Sequence, residues 1–208
     1  VKATFEELGS EYEDKLAITG VKARLKGGRP GPTLALMGEL DALLVPDHPR
    51  ANVQTGAAHA CGHNAQIAGL LGAARGLVDS GAAEHLAGEI VFFAVPAEEY
   101  VELEYRLGLV KDGKTIFLAG KPELVQLGHF DDIDMAMMIH SINMDPVNGA
   151  MGVSASSNGF VAKSIRYVGR AAHAGVEPEK GVNALNAAQL AISAINAQRE
   201  TFRDEDCV

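Results

Sequence analysis

An α/β fold with a mostly parallel central sheet is what this sequence predicts, and three observations predict it. Residues 33–37 (TLALM), 89–95 (EIVFFAV) and 134–139 (DMAMMI) are short apolar runs. Each is too short for a lone helix and lacks alternation, the pattern of a strand covered on both faces. Between the first two lies 64–80, in which Ile67, Leu70, Leu71 and Leu77 fall near helical spacing and Ala fills much of the rest. Gly81 follows as a stop, so strand, helix and strand form a βαβ unit. The third observation is that polar, chemistry-bearing residues follow each run.

Taken in order, residues 15–26 alternate and read as an edge strand. A short helix is expected over 122–127, after a surface loop at 111–120. Beyond His140 the texture changes. Residues 151–160 are small and polar, 161–168 alternate like a half-exposed strand, 171–181 form a loop, and 182–198 are an Ala-rich amphipathic helix. This places a domain boundary near Asn158, giving domains 1–158 and 159–208. One strand and one helix are too little to close a core, so the chain is expected to be truncated, a part of a longer protein.

The bulk numbers set limits. The 208 residues are 47% hydrophobic and carry a formal charge of -9, which argues against a nucleic-acid partner and an anionic membrane surface. Two cysteines, Cys61 and Cys207, make no disulfide framework, so a cytoplasmic location is expected. No apolar run approaches the roughly 20 residues of a membrane-spanning helix.

The first run leads into Gly38-Glu39-Leu40-Asp41, the second into Pro96-Ala97-Glu98-Glu99, and the third into His140. In open α/β sheets, sites form outside the carboxyl ends of strands. The segment His59-Ala60-Cys61-Gly62-His63 precedes the helix and belongs on that same edge. Thiolate and imidazole suit zinc-class metals, and Cys61, His63, Glu99 and His140 offer enough ligands for one site or parts of two. Adjacent residues of an extended chain point oppositely, so Glu98 and Glu99 serve one centre only if the chain turns at Pro96. One of the two carboxylates can then bind metal while the other accepts a proton from water. Cys61 acting as a nucleophile with His63 or His173 is a rival chemistry, but it leaves the glutamate pair without a task. His48 and His85 read as exposed.

In GELDAL (38–43), HACGHN (59–64), PAEE (96–99), FDDIDMAMMIH (130–140) and GRAAHAGVEPEKGVNAL (169–185), the chain resembles a family of metal-dependent amidohydrolases and zinc peptidases. That family includes aminoacylase, carboxypeptidase G-type enzymes and indoleacetyl-amino-acid hydrolases, and the likeness is to its cysteine-containing branch. The resemblance implies a zinc-peptidase-like catalytic domain and the start of an inserted α/β lid that dimerises. It implies two divalent metal ions, zinc foremost with manganese or cobalt as alternatives, held by Cys61, His63, Glu99 and His140. Glu98 would be the general base on a metal-activated water, Asp41 would orient an imidazole from behind, and His59 would stand behind the ligands. His173 would be the lid histidine that contacts the substrate of a partner subunit. The implied substrate is a small-molecule amide, an N-acyl amino acid or a dipeptide. A last histidine ligand is expected beyond Val208, so a catalytically inactive fragment is the alternative expectation for this chain.

Overall fold

The computed structural model describes residues 1–142, 151–154, 159 and 163–203. Its contacts divide the chain into two units, Val1–Ala150 and Met151–Val208. The boundary expected after Asn158 lies outside the described residues.

The first unit opens with helix α1 (Lys2–Glu7), which supplies the buried Phe5. Strands β1 (Tyr12–Leu16), β2 (Gly20–Lys26) and β3 (Arg29–Glu39) follow. After a two-residue ladder of β4 (Leu43–Leu44) and β5 (Ala57–Ala58) comes helix α2 (His63–Asp79), then β6 (Ala87–Val95). Helices α3 (Leu103–Lys111) and α4 (Gly120–Gln126) precede β7 (Met135–Met138). The sheet order is β1-β2-β6-β3-β7. β3 runs parallel to both β6 and β7, while β1 and β2 form an antiparallel margin. The expected α/β class and its parallel centre are therefore present.

The core follows from the pleat of β6. Successive side chains of a strand point to opposite faces. Phe92 and Ala94 accordingly join Phe5, Val21, Ala23, Leu70 and Ala74 on one side. Val91, Phe93 and Val95 join Ala35 and Leu124 on the other. Helix α2 closes the first face with His63, Gln66, Leu70 and Ala74, which recur at helical spacing. Phe93 is fully buried and stacks on Phe130 with 5.1 Å between ring centroids. Phe93→Ala should cost about 3–5 kcal/mol, the usual cost of truncating a buried aromatic. Chemical denaturation would read this as a lower midpoint at unchanged slope, and a loss under about 1 kcal/mol would show that this face is not closely packed.

Three sequence expectations need correction. Residues 15–26 are not one edge strand: the chain reverses at Ala17 and Ile18, both at positive φ, and β2 is an interior strand between β1 and β6. The alternation breaks at Leu16-Ala17-Ile18, three apolar residues in a row, which is where the chain reverses. The run 134–139 is a strand, but not one covered on both faces. Among the described residues β7 lies at the sheet margin, paired with β3, and Met135, Met137, Met138 and Ile139 are exposed. Finally, residues 163–168 form no strand ladder; residues 161–162 lie outside the described residues. A strand needs a partner for its backbone groups, and the described pairing nearby is one bridge between Arg170 and Val182.

The second unit contains helix α5 (Ala184–Gln198), capped by Asn183, whose side chain accepts from the amides of Leu185 and Asn186. This Asn cap satisfies two of the free first-turn donors. Among the described residues no helix is long and apolar enough to cross a membrane.

Candidate metal centre

The three parallel strands end together. β3 ends at Glu39, with Asp41 two residues on; β6 ends at Val95, ahead of Glu98 and Glu99; β7 ends at Met138, ahead of His140. Gly62, at φ 98°, turns the chain into α2, so Cys61 and His63 flank the helix start. A Cβ on Gly62 would lie 2.2 Å from Ser141 Oγ, and this close approach sets the Cys61 loop against the end of β7.

Pro96 is followed by Ala97 at φ 53°, a left-handed conformation uncommon for alanine. Its carbonyl accepts from the Gly120 amide at 3.0 Å and from Arg106 Nη1 at 3.4 Å. These bonds hold the turn that takes Glu98 and Glu99 out of the strand. The Glu99 amide donates to Asp41 Oδ2 at 2.9 Å, tying the ends of β3 and β6 together.

The donor atoms of Cys61, His63 and His140 lie within 4.8 Å of one another, and so do those of Glu39, His63 and Glu98. Cys61 Sγ is 3.5 Å from His140 Nε2. Two donors about 2.3 Å (sulfur) and about 2.0 Å (nitrogen) from one tetrahedral zinc would stand about 3.5 Å apart. His63 is buried; its Nδ1 donates to the Asp41 carbonyl at 3.0 Å and lies 3.3 Å from Asp41 Oδ1. His63 Nε2, Asp41 Oδ1 and Glu99 Oε1 are buried polar atoms without a hydrogen-bond partner. Such orphans are rare in protein interiors, and here they belong to the donor set a cation would take. The residues present therefore fit the divalent metal expected of this site.

Electrostatics point the same way. The Cys61 thiol is pushed up to about 11, first by its hydrogen bond to Glu99, then by burial and by the charges of Glu99, Glu98 and Glu39. Without a cation it stays protonated at neutral pH, the opposite of an activated nucleophile, whose pKa is lowered. That weighs against the metal-free cysteine chemistry. Glu98 is pushed up from the ordinary carboxylate range, first by burial and then by the charge of Glu39, with Lys121 opposing.

The structure thus brings together Cys61, His63, His140, Glu98, Glu99 and Asp41. His59 is exposed, as is His173, which lies in the second unit with its Nδ1 accepting from the Gly175 amide at 3.1 Å. His85 is exposed, whereas His48 is half-buried and accepts from the Arg50 amide. Cys61 is a free thiol; Cys207 lies outside the described residues.

Sequence reasoning missed three contributors. Glu39 is buried, with its carboxylate 3.0 Å from His63 Nε2. Lys121 donates to Glu39 Oε1. Arg106 is buried, donates to the Leu118 carbonyl at 2.8 Å and lies 3.8 Å from Asp41 Oδ2. Glu39 carried a signal, a carboxylate directly on the end of an apolar strand.

Comparison with known proteins agrees with this geometry. Residues 35–201 match peptidase family M20/M25/M40. The chain belongs to that family. Among the relatives of this M20 chain is an indole-3-acetyl-aspartic acid hydrolase of Enterobacter agglomerans, 35% identical over 193 residues covering 86% of this chain and 39% of the relative. Another is one of the subunits of the p-aminobenzoyl-glutamate hydrolase of Escherichia coli K12, 32% identical over the same shares. The chain thus spans 39% of the length of each. A dinuclear metal-binding M20 peptidase of Bacillus subtilis superposes with TM-score 0.50 at 27% identity, over 65% of this chain and 34% of that one. A Staphylococcus aureus structure described as a putative aminohydrolase covers 99% of this chain and 51% of its own at TM-score 0.62; at 22% identity it supports the fold alone. The family resemblance read from the HACGH and PAEE stretches is borne out.

Proposed function

We propose that this M20 chain serves the metal-dependent hydrolysis of an amide bond in an N-acyl amino acid or a dipeptide-like substrate. The observation that carries the reading is the meeting of the Cys61, His63 and His140 donor atoms at the strand ends, with Glu98 beside them. The curated relatives named for amide hydrolysis support the substrate class.

Cys61, His63, Glu99 and His140 are the residues assigned to hold two divalent ions, and the thiolate and imidazoles favour zinc over manganese or cobalt. A bound divalent ion supplies Lewis acidity toward a carbonyl oxygen and makes water easier to deprotonate. Glu98 accepts the proton of the attacking water and returns it to the amine nitrogen as the C–N bond breaks. Its raised pKa suits both transfers, because it makes the carboxylate a better proton acceptor while its acid form can still give the proton up. Asp41 holds His63 through the carbonyl and carboxylate contacts at Nδ1, fixing the tautomer that leaves Nε2 free. His173 is assigned to steadying the substrate. The exposed apolar side chains of α5, Leu185, Leu190 and Ile192, support pairing with a second copy through 159–208. A reducing cytoplasm suits the free thiol of Cys61.

The test is a panel of N-acyl amino acids and dipeptides assayed before chelation, after chelation and after zinc, manganese or cobalt is restored. Turnover lost on chelation and regained with metal is expected. Turnover that resists chelation but is abolished by thiol alkylation would reverse the assignment.

A further inference from the structure

His63 Nδ1 faces a backbone carbonyl, which can only accept, so Nδ1 carries a hydrogen and the lone pair the ring can give to a metal is the one at Nε2. That lone pair is buried, lacks a hydrogen-bond partner, and lies 3.0 Å from Glu39 Oε2 and 3.9 Å from Glu98 Oε2. A lone pair turned toward carboxylate oxygens in a buried site is repulsive unless a cation sits among them. The 3.0 Å contact has a second meaning. Nitrogen and oxygen donors each about 2.0–2.2 Å from one ion stand about 3.3–3.6 Å apart at a tetrahedral angle and about 3 Å apart as the angle closes toward about 90°, as it does when coordination expands beyond four.

We infer that Glu39 is a metal-binding carboxylate of this chain, giving Oε2 to the cation that His63 Nε2 binds while Lys121 fixes Oε1. Glu39 is placed for this by its own strand, at the last residue of β3, where Gln66 Oε1 accepts its amide at 2.9 Å. Lys121 is placed by a close backbone approach: a Cβ on Gly120 would lie 1.9 Å from the Pro96 carbonyl oxygen, so only glycine lets α4 come this near. Lys121 therefore takes one oxygen of the carboxylate and aims the other at His63. With Glu39 as the carboxylate on His63, the more distant and partly exposed Glu98 is left free to move protons. Glu39 then joins Cys61, His63, Glu99 and His140 in the donor set, with His63 common to the Cys61–His140 group and to the Glu39 side.

This rests on the metal reading above, and cobalt(II) titration of the metal-free chain separates the two. The wild type should take up two equivalents, with a thiolate-to-cobalt charge-transfer band from Cys61. In Glu39→Gln that band should persist while one equivalent weakens by about 100-fold, the scale on which metal sites respond to loss of a supporting group. Glu39→Asp, which keeps the carboxylate, should recover most of that affinity, and circular dichroism of both variants checks that they fold. Two equivalents at wild-type affinity in folded Glu39→Gln overturn this inference alone. A wild-type chain that takes up no cobalt overturns the metal reading and this inference with it.

Discussion

Glu98→Gln should leave metal uptake intact and lower turnover by about two to four decades, the range expected when a general base is removed. The side chain keeps its size and its place after the Ala97 turn, so the strand ends should hold their arrangement. What changes is the capacity to accept a proton. Burial and the neighbouring Glu39 charge raise Glu98 above ordinary carboxylates, and Lys121 draws it back. Activity should therefore fall on acidification as Glu98 protonates, and that limb should be absent from the residual activity of the amide variant. The relevant measurements are kcat against pH for both proteins and metal content by elemental analysis. Undiminished turnover with full metal content would remove Glu98 from the reaction. Lost turnover with lost metal would make it a ligand instead.

How much of this arrangement could be read beforehand depended on which interactions are local. The β3–α2–β6 unit was legible because each piece states itself within about ten residues, and its boundaries fell within two residues of expectation at α2 (His63–Asp79). Cys61, His63, Glu98, Glu99 and His140 were legible because each immediately follows or precedes such a piece. Lys121 and Arg106 were not. Their partners Glu39 and Asp41 are 82 and 65 positions away, and α3 shows little amphipathic pattern to mark its inward face. The misreading of β7 has a related cause. An apolar run reports that side chains avoid water in the whole fold, whereas Met135–Met138 occupy a margin that the described residues leave exposed.

The Cys61→Ser chain should bind zinc at least about 100-fold more weakly than the wild type, since a hydroxyl replaces a thiolate ligand and even outer partners cost up to that factor. The pH dependence makes this more than a test of affinity. Because the thiol is held up at about 11 rather than its ordinary 9.0, it enters any metal complex by losing a proton that the site otherwise retains. Zinc affinity of the wild type should rise with pH by about tenfold per unit for that one proton, throughout the range below about 11. The slope in Cys61→Ser should be smaller by one proton. The same shift runs the other way for the metal-free fold. A thiol that binds its proton more tightly when folded favours the fold below about 9, and that contribution is lost as pH rises through about 11. Alkylation supplies the complementary reading. At pH 7 roughly one thiol in ten thousand is ionised, so the metal-free chain should react slowly, with a rate that climbs toward about pH 11. A fast reaction at neutral pH, or equal zinc slopes in the two proteins, would mean that Glu99 does not hold the Cys61 proton and that the thiolate is not what the metal binds.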